Sequence, residues 1–109
     1  MKKIFISMPM AGKSREEIEQ VQHDVLVAVG DKLNEEVELV ENYLGEDYKR
    51  NPVKCLGESI KRLAEADYAV FVDGWEDVRS CEVERFCAES YEIEMLEATQ
   101  KREGNSNGE

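Results

Sequence analysis

Apolar positions in this chain fall into short blocks separated by longer charged stretches. Ile4, Phe5 and Ile6 form a compact β-branched and aromatic run closed by Pro9 and Gly12, which predicts a buried first strand over residues 3–7. Ser14 and Glu17 follow at capping-box spacing, and Ile18, Val21, Val25, Leu26, Val29 and Leu33 recur at helical intervals. A long amphipathic helix is expected there, with His23 on its polar side. Residues 36–40 alternate charged and apolar side chains, as a second strand with one covered face would. The stretch 42–52 is polar and irregular, and with Tyr43, Tyr48, Lys49 and Arg50 it reads as a lid or a subunit contact.

Helical spacing returns over about 53–66 through Leu56, Ile60, Leu63 and Ala64. Tyr68 to Val72 is the most apolar run, and it stops abruptly at Asp73-Gly74-Trp75. It is expected to be a central parallel strand with the functional edge at its C-terminal end. Another helix is predicted over about 80–91, with Val83, Phe86 and Cys87 inward, and a last short strand over 93–96. Residues 98–109 are hydrophilic and read as a disordered tail. The alternation of strand and helix over 1–97 predicts one α/β domain. Its expected architecture is a small doubly wound, Rossmann-like or flavodoxin-like parallel sheet of four to five strands flanked by helices, with a ligand crevice at the strand C-termini.

Composition narrows the chemistry. The 109 residues carry 14 Lys plus Arg against 25 Asp plus Glu, a formal charge of −11, which speaks against a nucleic-acid polymer as partner but not against a single nucleotide. With one histidine and no CxxC or HExxH spacing, neither a metal centre nor a cofactor is expected. Cys55, Cys81 and Cys87 are odd in number and widely spread, as reduced thiols would be. No apolar run approaches the roughly 20 residues that span a membrane, and residues 1–7 are too short an apolar stretch for a signal peptide. A cytoplasmic protein without a membrane partner is expected.

Two segments carry candidate chemistry. Ser7-Met8-Pro9-Met10-Ala11-Gly12-Lys13-Ser14 approaches the phosphate-binding GxxxxGK[ST] loop, but Ser7 replaces the leading glycine and Pro9 removes a backbone donor. More generally, a loop that opens a helix and is flanked by Lys13 and Arg15 can hold one anionic group. The second segment runs from Asp73 to Ala88. Within it Glu84 lies one turn inside the helix beside Cys81 and Ala88, a placement that aims a carboxylate across the crevice toward the first loop. Cys81 reads either as a thiol acidified by the helix N-terminus or, with no histidine near it to act as base, as a small packing residue.

Residues 4–13 and 66–75, followed by Cys81 and Glu84, resemble the nucleoside 2-deoxyribosyltransferase-like superfamily, and within it a short branch of unassigned function. The resemblance spans about residues 2–96. It implies that Glu84, in the E-x-x-x-A spacing with Ala88, attacks the anomeric carbon of a deoxyribose and displaces the base. Asp73 matches the strand-end acid that helps hold the nucleoside, and Asp77 is the acid adjacent to Val78, where the transferases carry a carboxylate. The implied substrate contacts are Ser7, Pro9, Met10, Gly12, Lys13, Gly74, Trp75, Arg79, Ser80 and Cys81. A small-molecule nucleotide or nucleoside is the implied ligand, with a deoxynucleoside monophosphate preferred because Lys13 and Arg15 offer an anchor. The resemblance further implies a homodimer or higher homo-oligomer. The alternatives are a non-catalytic nucleotide-binding protein on the same scaffold, favoured by Val78 and Ser80, and an assembly protein with Trp75 and Tyr43 as interface anchors.

Overall fold

The computed structural model of the chain describes residues 1–41 and 51–97. The expected lid with Tyr43, Tyr48, Lys49 and Arg50 and the expected tail lie outside the described residues. Four strands, β1 (Lys2–Ser7), β2 (Val37–Leu39), β3 (Tyr68–Phe71) and β4 (Glu94–Leu96), alternate with three helices, α1 (Arg15–Leu33), α2 (Pro52–Leu63) and α3 (Arg79–Ser90). All strand pairings are parallel and the order is β2-β1-β3-β4, so the expected small Rossmann-like α/β fold is present.

The central strand explains the first apolar block. Ile4, Phe5, Ile6 and Ser7 are buried one after another because parallel strands are covered on both faces. Ile4, Ile6 and Val70 pack with Ile18, Val25 and Val29 of α1 on one side. Phe5 and Ala69 pack with Leu63 on the other, where Ile60 of α2 and Cys87 of α3 join them. The α1 start was written in the sequence. Ser14 Oγ accepts from Glu17 N at 3.1 Å, and Glu17 Oε1 accepts from Ser14 N at 2.8 Å, closing the capping box.

Two helix faces differ from expectation. Phe86 is 68% exposed rather than inward. The buried stripe of α3 is Cys81, Glu84 and Ala88, at i, i+3 and i+7, and Phe86 falls on the opposite side of the helix. On α2 the buried stripe is Cys55, Ser59 and Leu63, and Ala64 is exposed just past the helix end. In both helices a small or polar residue takes the inward place that hydrophobicity alone assigned to a neighbour.

Strand order creates the crevice. From β1 the chain leaves through α1 toward β2, whereas β3 lies on the opposite side of β1 and continues outward to β4. The loops after β1 and β3 therefore lead to helices on opposite faces of the sheet, α1 and α3, and the carboxyl ends between them are where open α/β sheets take ligands.

Candidate functional site

Ser7 is the last residue of β1 and pairs in register with Phe71, the last of β3, so it stands at the floor of that crevice. Side chains alternate along the strand, which turns Ser7 to the same face as Phe5, the face covered by α2 and α3. Glu84 of α3 meets it there. Ser7 Oγ donates to Glu84 Oε1 at 2.6 Å, and Ser59 Oγ, from α2, donates to Glu84 Oε2 at 2.5 Å. One carboxylate is thus held between two hydroxyls from two other elements.

Its electrostatics are unusual for so polar a group. Glu84 is only 5% exposed, and among the described residues no lysine or arginine pairs with it. Burial pushes its carboxyl above the usual carboxylate range, and the hydrogen bonds from Ser59 and Ser7 oppose that rise without cancelling it. Cys81, one turn earlier on α3, is 2% exposed. Burial first, and the neighbouring Glu84 charge second, push its thiol up to about 11, against hydrogen bonds with Ser7 and Ser80. Cys81 is therefore a neutral packing group beside the carboxylate and not an acidified nucleophile.

The two crevice loops touch. Met10 O accepts from Lys13 N at 3.1 Å, closing a turn in which Gly12 has φ +81°, a conformation suited to glycine. Gly74, at φ +96°, sits so close to the first loop that an added Cβ would lie 3.2 Å from Pro9 Cγ. After Gly74 a short 3-10 turn, Trp75–Asp77, leads into α3. Trp75 packs edge-on against Phe71 with centroids 5.8 Å apart. The Arg85 guanidinium lies 4.7 Å from the Trp75 ring and 5.3 Å from that of Phe71, and bonds Glu89 Oε2 at 2.9 Å.

The remaining expected site residues are spread around this centre. Pro9, Met10, Gly74 and Trp75 are half-buried on the two loops, whereas Gly12, Lys13, Asp73, Asp77, Arg79 and Ser80 are exposed. Asp73 and Asp77 thus lie on the surface, not in the buried cluster with Glu84. Met8 points into the core under α1 and is 4% exposed. Arg15 binds Glu19 at 3.0 Å, and Glu16 and Glu17 add negative charge to the first turn of α1, which weakens that helix start as an anion site. Ser59 was not anticipated. The available signal was a hydroxyl at i+4 from Cys55 and i−4 from Leu63, inside what becomes the buried stripe.

Among the described residues no cluster of three or more His, Cys, Asp or Glu side chains fits a metal ion, and no helix is long and apolar enough to cross a membrane. Set against known proteins, the chain matches no protein-family model, no curated protein and no solved structure.

Proposed function

We propose that this protein binds a nucleoside or nucleotide and cleaves or exchanges its N-glycosidic bond, with Glu84 as nucleophile. One observation carries the reading: a carboxylate 5% exposed, without a cationic partner among the described residues, is held by two serine hydroxyls at the end of β1, beside the crevice. Burying such a group costs stability, and packing alone gives no reason to keep it. The resemblance of the two crevice loops and of Glu84 and Ala88 to deoxyribosyltransferase-like proteins supports the same reaction.

In this chemistry a Glu84 oxygen attacks the anomeric carbon, and the bond to the base breaks with its electron pair leaving on the base nitrogen. Asp77, on the exposed turn before α3, or solvent supplies the proton that nitrogen takes up. Water then attacks the anomeric carbon of the glycosyl ester and restores the carboxylate, or a second base does so in an exchange. The negative charge of Glu84 also favours the oxocarbenium character of both transition states. The proposal extends to a cytoplasmic homo-oligomer, consistent with three free cysteines and checked by sedimentation.

The test is release of free base from a panel of deoxynucleosides and their 5′-monophosphates, followed by chromatography. Wild type is expected to release base from at least one member, and Glu84→Gln to release none while still binding it in calorimetry. Absence of release from the whole panel overturns the reaction. A non-catalytic binding protein is the second reading, favoured because both Glu84 oxygens already accept hydroxyls. It predicts binding without release and an unchanged Kd in Glu84→Gln.

A further inference from the structure

Glu84 is held by hydroxyls from two other elements, and the contribution of α2 has no place in the reaction described so far. Ser59 lies on the inward stripe of α2, is 6% exposed, and donates to the Glu84 oxygen that Ser7 does not occupy. Carboxylates on helices ordinarily sweep through several rotamers, and a single donor leaves the group free to rotate about that bond. Two donors, one on each oxygen and one from each neighbouring element, fix both the position and the plane of the carboxylate. We propose that Ser59 is a positioning residue, tying α2 to the site and fixing the Glu84 carboxylate at the end of β1 in the orientation required for attack.

This inference rests on Glu84 being the nucleophile, yet the positioning itself can be read without any reaction. A hydroxyl that donates to a carboxylate favours its charged form, so removing the hydroxyl must make Glu84 harder to ionise. The groups that act on Glu84 from β1 and α2 are the uncharged Ser7 and Ser59 hydroxyls. From its own helix the neutral Cys81 thiol faces it. Among the described residues, burial and the two serine hydroxyls are the causes of the Glu84 shift, and no charged group is among them.

The experiment follows the Glu84 side-chain carboxyl by carbon-13 NMR through a pH titration of wild type, Ser59→Ala and Ser59→Thr, with Glu84→Gln to assign the signal. Ser59→Ala is expected to raise the proton affinity of the carboxyl about tenfold, read as a higher titration midpoint, and Ser59→Thr to restore it. Should Ser59→Ala not fold, Ser59→Cys keeps the volume with a weak donor and is expected to move the midpoint the same way. An unmoved midpoint in the folded variant overturns the positioning role. In protein that releases base, the acid limb of kcat/KM is expected to move with the midpoint. A moved midpoint in protein that releases no base keeps the positioning of Glu84 and removes the reaction, so the two claims fail separately.

Discussion

Replacing Glu84 by glutamine tests whether the buried carboxylate is a stability cost retained at the site. Glutamine keeps the shape, accepts one serine hydroxyl through Oε1 and donates to the other serine through Nε2, so it mimics the neutral acid. In wild type the folded carboxyl has its pKa raised by burial, while in the unfolded chain it titrates near 4.5. Above that value the folded chain therefore binds more protons than the unfolded one, and the Glu84 contribution to stability falls as pH rises toward the raised value. Each tenfold difference in proton affinity between the two states is worth about 1.4 kcal/mol, which for a domain of this size moves Tm by about 6–11 °C. The other acids contribute to both proteins alike and cancel in the difference. Denaturation of the two proteins from pH 4 to 8 at fixed ionic strength, followed by fluorescence of Trp75, the sole tryptophan, measures that difference. Glu84→Gln is expected to gain on wild type steadily as pH rises above 4.5 and then level off. A flat difference, or one of opposite slope, refutes the desolvated carboxylate and the reasoning built on it.

Gly74→Ala forces a side chain into a positive-φ position and against Pro9, and is expected to cost at least about 1–2 kcal/mol; an unchanged urea midpoint contradicts the close approach of the loops. Cys81, with its thiol pushed up to about 11, carries about one thiolate in a thousand at pH 8 and is expected to resist Ellman's reagent until the chain unfolds. Rapid labelling of Cys81 in the native protein, located by mass spectrometry, would count against its burial. Arg85→Ala removes the guanidinium over Trp75 and is expected to cost about 0.5–2 kcal/mol and shift Trp75 emission to longer wavelength, whereas an unmoved spectrum denies the stack.

Local chemistry made much of the scaffold readable along the chain. The β-branched run of β1, the Ser14 and Glu17 capping box and the periodic apolar residues of α1 are short-range signals, decided within a few residues of one another. The apolar run of β3 stopping near Asp73 likewise marked a central strand and a loop beyond it. Glu84 stood out for the same reason, as a carboxylate among small residues one turn inside a helix. Inward faces were less readable where the stripe is not the most apolar one. Phe86 lost its expected place because α3 turns Cys81, Glu84 and Ala88 toward the sheet, and small side chains let that helix approach closely.

The partners of Glu84 belong to a different scale. Ser7, Ser59 and Glu84 are separated by 25 to 77 residues, and no spacing rule connects them. They meet because β3 adds beside β1, which sets α2 and α3 together over the face to which Ser7 points. The chain order supplied the strand, the caps and the carboxylate as local propensities. Which hydroxyls would receive that carboxylate, and that it would lie buried between them while Asp73 and Asp77 stayed in solvent, followed from the packing of three elements on one sheet. Propensity acts between near neighbours, whereas burial and long-range hydrogen bonding exist once the layers have closed.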